Sequence, residues 1–313
     1  MSARISSSLN RPSPRRLGLG SVVAFLSAAF LCTPALAATD VNTQGTVLAV
    51  DSTKGPDGAK PKGKGPKGPK GPQEANRISI AFDPAAASYT VSDVVDVTTN
   101  DPACTDLGTT VTCLGAGITT VQASSGRGND FIGVGALPAL SVTLNGDDDD
   151  DTLVGGDDAR GEILNGGKGN DRMFGGAGPD VFNGDRGTDT VSYRDHGAGV
   201  RVTIGSPFND GNSSDAGATG ALDSVSGTVE RVKGPSFADV LKGDAGDNVL
   251  IGAAGNDRLK GKKGRDRLKG KGGIDVLLAK DGTRDLGINC GPGKNRLERV
   301  KFDKGLDPKP KSC

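Results

Sequence analysis

The sequence predicts an all-β protein centred on a solenoid of short strands, and three observations carry that expectation. First, from Gly234 to Leu278 one nine-residue unit is repeated five times: GPSFADVLK, GDAGDNVLI, GAAGNDRLK, GKKGRDRLK and GKGGIDVLL. Second, each unit places Leu241, Leu250, Leu259, Leu268 or Leu277 at its eighth position, so a core forms only when units stack. Third, the 313 residues include 50 Gly, 2 Tyr and no Trp, too few bulky side chains for a conventional core. Disorder suits that composition too, but disorder does not keep Leu and Asp on a nine-residue register.

Residues 1–37 read as an export signal. Arg4, Arg11, Arg15 and Arg16 precede an apolar run from Val22 to Leu31, and Ala35-Leu36-Ala37 supplies a small-residue cleavage site. The run is short for a membrane span. Arg15-Arg16 would suit a twin-arginine signal, although Gly18 sits where such a signal takes an apolar residue. Removing the segment deletes four Arg and no acid, which moves the formal net charge from 0 to −4. It also leaves four cysteines, Cys104, Cys113, Cys290 and Cys313, and an even number in an exported chain favours two disulfides. Pairing Cys104 with Cys113 and Cys290 with Cys313 closes two local loops; four cysteines permit two other pairings. No CxxC occurs, so zinc is a poor alternative.

Residues 38–75 hold a short strand around Val47-Leu48-Ala49-Val50 and then a Lys/Gly/Pro linker, KGPDGAKPKGKGPKGPKGP over 54–72. Residues 76–144 read as a small β-rich domain, with strand-like runs at 77–82, 89–91, 94–97 and 118–121. The CTDLGTTVTC segment reads as a disulfide-clasped hairpin. A first repeat tract occupies 145–192, with apolar positions Leu153, Leu164, Met173, Phe182 and Val191 and acids Asp151, Glu162, Asp171, Asp180 and Asp189. An isolated unit with Gly126, Gly128 and Asp130 precedes it. Residues 193–233 form a strand-and-loop connector, 234–287 the second tract and 288–313 a disulfide-closed tail.

The repeat has a chemistry. In G-G-x-G-x-D-x-U-x, Gly permits positive φ and lets carbonyl oxygens turn towards an ion. The sixth position supplies a hard carboxylate: Asp239, Asp257, Asp266 and Asp275 in the second tract, with Asn248 in the remaining unit. Acidic, Gly-rich loops of oxygen ligands suit Ca²⁺. Candidate turn glycines are Gly166, Gly167, Gly169, Gly175, Gly176, Gly178, Gly184 and Gly187 in the first tract, and Gly243, Gly246, Gly252, Gly255, Gly261, Gly264, Gly270 and Gly273 in the second.

GGKGNDRMF, GGAGPDVFN and GAAGNDRLK resemble the RTX, or hemolysin-type, calcium-binding nonapeptides. The resemblance covers about residues 125–133, 146–192 and 234–278 and implies a parallel β-roll preceded by the small β-rich domain. It also implies that two nonapeptides make one coil and that several Ca²⁺ ions lie between successive turns on each edge. Residues 18 apart then share an edge: Asp171 with Asp189, Asp239 with Asp257 and Asp275, and Asn248 with Asp266.

Several positions depart from the pattern. Asp244, Ala253, Lys262 and Lys271 replace the second glycine, so strained turns are expected there. Lys262, Lys263 and Arg265 crowd one turn with positive charge, so tract 146–192 is expected to bind Ca²⁺ more tightly than 234–278. Asp147 to Asp151 lack the usual glycines and suit an ion or a solvated acidic turn equally. Arg258, Lys260, Arg267 and Lys269 flank inward leucines and, with Lys262, Lys263, Arg265 and Lys271, are expected to form one basic outer face. Such a face suits an anionic cell-surface polymer or simply solubilises the roll.

No catalytic motif stands out. The chain has one His, His196, and no HExxH, G-x-S-x-G or Walker sequence. Neither a transmembrane anchor nor a specific nucleic-acid partner is indicated. The expectation is a secreted, non-catalytic Ca²⁺-binding β-roll. The alternatives are an adhesin or matrix protein using the basic face, or the accessory part of a polysaccharide-modifying enzyme.

Overall fold

The computed structural model describes residues 39–44, 47–51, 76–92, 97–99, 104–107, 110–115, 117–138, 140–157, 160–212, 222–292 and 300–313. The expected export signal, the 54–72 linker and the strand-like residues 94–96 lie outside the described residues. Among the described residues there is no helix, and hence none long and apolar enough to cross a membrane. The architecture is a parallel β-solenoid of about eight turns, in agreement with the expected roll.

Alternation within each unit explains the two walls. A three-residue strand such as Arg258–Lys260 turns its middle residue, Leu259, inward and its neighbours outward. The glycine turn then reverses the chain, so the next unit builds the opposite wall. Wall one stacks Arg77–Asp83, Phe131–Val134, Thr152–Val154, Arg172–Phe174, Thr190–Ser192, Arg231–Lys233, Val249–Ala254, Arg267–Gly272 and Gly287–Asn289 in one parallel run. Its register places Leu153, Met173, Val191, Val232, Leu250, Leu268 and Ile288 directly above one another. All are buried.

Wall two is made of two sheets. The first stacks Val47–Asp51, Thr120–Ser124, Ser141–Asn145, Glu162–Gly169, Val181–Gly187 and Asp223–Val225. The second stacks Arg201–Thr203, Val240–Lys242, Arg258–Lys260, Val276–Leu278 and Val300–Lys301. The two sheets meet at a hairpin. After Ser192 the chain crosses to lay Arg201–Thr203 beside Val240–Lys242, then folds Ser206–Asp210 antiparallel onto Asp223–Val225. Buried Asp210 pins this hairpin by accepting the N–H groups of Thr203 at 2.6 Å and Val225 at 3.1 Å. The expected connector therefore supplies strands to both walls, and the two repeat tracts form one roll.

The N-terminal end is closed by strands that are antiparallel except for Val97–Thr99, which pairs parallel with Thr39–Gln44. Ser88–Ser92, Thr110–Leu114 and Cys104–Asp106 continue wall one, and Thr39–Gln44 and Val97–Thr99 continue wall two. These additions cover edges that would otherwise recruit further strands. Cys104 and Cys113 face each other in the expected hairpin and form a disulfide; Cys290 and Cys313 form the second.

Along the repeats the core narrows to about one inward apolar residue per strand, as at Leu241, Leu250, Leu259, Leu268 and Leu277, whereas the N-terminal strands bury two, as at Ile78 and Ile80 or Val142 and Leu144. Burying one such Leu stabilises by about 1.5–3 kcal/mol, but each rung must also order two glycine-rich turns. Apolar burial alone is a thin margin, and the turns must contribute.

Candidate metal centre

Two edges join the walls, and each carries a ladder of buried carboxylates. On edge one, where turns lead into wall one, the sixth-position side chain of a turn accepts the backbone N–H of its counterpart one coil earlier. Asn76 N–H donates to Asp130 (2.6 Å), Asp130 to Asp151, Asp151 to Asp171, Asp171 to Asp189 and Asp189 to Glu230 (each 2.8 Å). The ladder passes Glu230 through its carbonyl, which accepts from Val249 N–H at 2.8 Å. It resumes as Asn248 to Asp266, Asp266 to Asp285 and Asp285 to Asp307, at 2.8–2.9 Å.

Edge two has the same construction in two pieces. Glu162 N–H donates to Asp180 and Asp180 to Asp223; beyond the hairpin, Val200 donates to Asp239, Asp239 to Asp257 and Asp257 to Asp275, at 2.7–3.0 Å. The spacing of 18 thus brings together the residues expected to share an edge.

One oxygen of each carboxylate is consumed in this way. The Oδ2 atoms of Asp151, Asp171, Asp189, Asp239, Asp257, Asp266 and Asp285 are buried and accept no hydrogen bond. Leaving a buried charged acceptor unmatched is costly. Burial raises the carboxyls of Asp189, Asp239, Asp257, Asp266 and Asp285 to about 7 and Asp151 to about 9, and neighbouring carboxylates add to each shift. Asp171 and Asp275 are raised for the same leading reason, loss of solvent. An oxygen-binding cation meets both demands, supplying a partner for the oxygen and cancelling the repulsion. The donor set fits Ca²⁺: hard, charged, and without His or Cys.

The glycines serve two geometric needs. At the first position, the sixth-position carboxylate folds back over the backbone. A Cβ on Gly166, Gly175, Gly234, Gly252, Gly261 or Gly270 would overlap the Oδ2 of Asp171, Asp180, Asp239, Asp257, Asp266 or Asp275, and one on Gly184 would come within 2.6 Å of that of Asp189. Gly243 is covered likewise by Asn248 Oδ1. At the second and fourth positions the backbone is left-handed, as at Gly126 and Gly128, Gly167 and Gly169, and Gly176 and Gly178. Gly187, Gly255, Gly264 and Gly273 hold it at the fourth.

Non-glycine residues are forced into the same shape. Ala253, Lys262 and Lys271 have φ of 81°, 70° and 78°, the strain expected from the sequence. Asp147 and Asp149, at 70° and 85°, show that the five-aspartate turn follows the glycine path. Asp151 is fully buried in the ladder, while Asp148 pairs with Arg127 and Lys168 on the turns either side.

Two turns of the second tract do not conform: at 234–239 Pro235 and Phe237 lack positive φ, and the turn at 243–248 is the other. Asp244 and Gly246 both lack positive φ. Asp244 N–H bonds Asn248 Oδ1 and Gly246 N–H bonds Asp244 Oδ1, each at 2.8 Å, so this turn closes on itself. Gly246 is thus not a left-handed turn glycine.

The single basic face is also corrected. Arg258 and Lys260 stand on wall two, whereas Arg267 and Lys269 stand on wall one. Lys262, Lys263 and Arg265 lie on the edge-one turn and Lys271 on an edge-two turn. One nonapeptide is half a coil, so consecutive units alternate walls and residues nine apart face opposite ways. His196 packs edge-on against Tyr193 and bonds Asp195 at 3.1 Å.

Sequence reasoning missed two features. Asp223, Glu230, Asp285 and Asp307 join the ladders outside the repeats; an acid two residues before a buried apolar residue, as in Asp223-Ser224-Val225, signals the first two. The fifth position carries a second ladder of opposite direction. Asn129 accepts from Asp150 N–H, Asp150 from Asn170, Asn170 from Thr188, Asp247 from Arg265 and Asn256 from Ile274. Its signal was the recurrence of Asn or Asp at that position.

The family model for the RTX calcium-binding nonapeptide repeat matches residues 158–191 and 234–268, in four copies. The chain carries RTX calcium-binding nonapeptide repeats. No curated protein matches the chain. The RTX turns are therefore the centre of a longer roll, because both ladders continue through turns that the family model does not reach.

Proposed function

We propose that this protein is exported and non-catalytic, and that its RTX roll folds and is held together by Ca²⁺ bound between successive turns. The observation that carries this reading is the row of buried, unmatched Oδ2 atoms along both edges. Asp151, Asp171 and Asp189 on edge one, and Asp239, Asp257 and Asp275 on edge two, would hold the ions together with turn carbonyls freed by the glycines. A bound ion supplies charge neutralisation and a link between coils. At a Ca²⁺ concentration 100 times Kd, each independent site adds about 2.7 kcal/mol. Tract 146–192 is the tighter binder in this reading, since its left-handed non-glycine residues are acids, Asp147, Asp149 and Asp185, whereas the second tract has Ala253, Lys262 and Lys271 there.

Export is supported by the N-terminal segment read from the sequence and by two disulfides, which persist outside reducing compartments. A non-catalytic role is supported by the lack of any recognised catalytic motif. The experiment is far-ultraviolet circular dichroism of residues 38–313 in EDTA and in Ca²⁺. A gain of β-structure on adding Ca²⁺ is expected; identical spectra would overturn the proposal.

A further inference from the structure

The first turn of edge one beyond the nonapeptides breaks the nine-residue rule. Asp285 follows Asp266 by 19 residues, whereas Asp239, Asp257 and Asp275 are spaced by 18. The extra length brings in a carboxylate that has no counterpart in the repeat, Asp281. Its Oδ1 accepts Thr283 N–H at 2.6 Å and fixes the side chain in a tight turn. Its Oδ2 is buried and accepts no hydrogen bond.

One carboxylate oxygen each of Asp266, Asp281 and Asp285 lie within 4.8 Å of one another. Asp266 is fully buried and Asp285 is 2% exposed. Both spend Oδ1 on a ladder N–H, at 2.9 and 2.8 Å, and both leave Oδ2 unmatched. Three formal negative charges therefore converge out of water, and among the described residues no Lys or Arg forms an ion pair with them.

We propose that Asp266, Asp281 and Asp285 form a further divalent-cation site, suited to Ca²⁺, in the terminal turn beyond the RTX repeats. Two oxygens bound to one Ca²⁺ at 2.3–2.6 Å are separated by at most about 5.2 Å, so the observed cluster is compatible with one shared ion. An all-carboxylate set selects a hard cation over zinc or copper. Only Asp266 lies within the family match, which ends at residue 268.

The site has a structural consequence. Asp281 and Gly282 donate their N–H groups to Asp303 Oδ2, at 2.9 and 2.6 Å, and Asp285 donates to Asp307. An ion here ties the last repeat turn to the C-terminal segment closed by Cys290–Cys313. Occupancy would cap the roll at the end where stacking stops.

This inference shares with the proposed function the premise that the roll takes up Ca²⁺, and one experiment separates them. Bound Ca²⁺ is counted by equilibrium dialysis of the disulfide-bonded chain, wild type against Asp281→Asn, with hydrogen exchange read over 279–292 and 146–192. The expected result is one ion fewer, loss of Ca²⁺-dependent protection over 279–292, and unchanged protection over 146–192. An unchanged ion count, or unchanged protection of 279–292, overturns the terminal site and leaves the roll's own calcium sites standing. A wild-type chain that binds no Ca²⁺ overturns both. Should Asp281→Asn lose its fold, Asp281→Ser keeps an oxygen for the Thr283 N–H and removes the charge, and is read in the same way.

Discussion

The two repeat tracts share a core and differ in their turns. In 146–192 and 234–278 alike, one buried apolar residue per strand stacks in register, Leu153 on Met173 as Leu250 on Leu268. The turns diverge. Both tracts hold non-glycine residues in left-handed backbone, but those of the first are acids, Asp147, Asp149 and Asp185, and those of the second are Ala253, Lys262 and Lys271. The second tract also closes the Asn248 turn on itself. The stacking geometry is thus set by the inward residue, and the ion chemistry by the turn, with each free to change alone.

This separation can be broken at several points. The largest expected effect is in the core: Leu153→Ala and Leu259→Ala should each cost about 2–5 kcal/mol, read by urea unfolding in Ca²⁺. Equal costs support a common core; a large gap would show that the walls differ after all. Next come the ladders. Asp171→Ala and Asp257→Ala each remove one rung, and the loss should approach the contribution of a site, about 2.7 kcal/mol at a Ca²⁺ concentration 100 times Kd. Calcium titration followed by circular dichroism should show the larger shift for Asp171→Ala, and the reverse order would refute the ranking of the tracts.

Acidity should act oppositely with and without the ion. Burial raises Asp239, Asp257 and Asp266 to about 7 and Asp151 to about 9. In EDTA the folded roll therefore holds more protons than the unfolded chain, whose carboxyls titrate near 4. The stability from these groups is fully present below about pH 4 and is lost as pH rises through about 7, with Asp151 losing its share only near 9. In Ca²⁺ the sign reverses, because protons compete for the same oxygens. β-Structure followed by circular dichroism from pH 4 to 9 in both conditions tests this: it should rise as pH falls in EDTA and decline as pH falls in Ca²⁺, and parallel curves would contradict it. The smallest effect is local: Lys262→Gly relieves a left-handed Lys and should raise the unfolding free energy by about 1 kcal/mol, whereas Gly264→Ala should lower it.

Much of this architecture was legible because its rules are local. Strand alternation identified every inward Leu of the second tract, and spacing by 18 identified the rungs that share an edge. The same rule was not carried to the charges: Arg258 and Arg267 look adjacent in sequence but stand on opposite walls, half a coil apart. Glu230 and Asp223 were illegible as rungs because their turns lack the glycines, although the buried Val232 and Val225 follow each at the right distance. Asp281 had no repeat position to betray it.

By itself, the sequence determined the period, the inward residues and the class of ion, since each depends on contacts within a few residues or on a fixed repeat, while the disulfide pairing was one of three that it allowed. Only the tertiary structure decided that the two tracts form one roll. Wall one runs unbroken from Thr190–Ser192 through Arg231–Lys233 to Val249–Ala254, while wall two changes sheet at the Ser206–Asp210 hairpin. Where a chain re-enters a stack after an irregular excursion is set by which open strand edge it meets. That edge is made by residues far away in the sequence, so no local pattern encodes it.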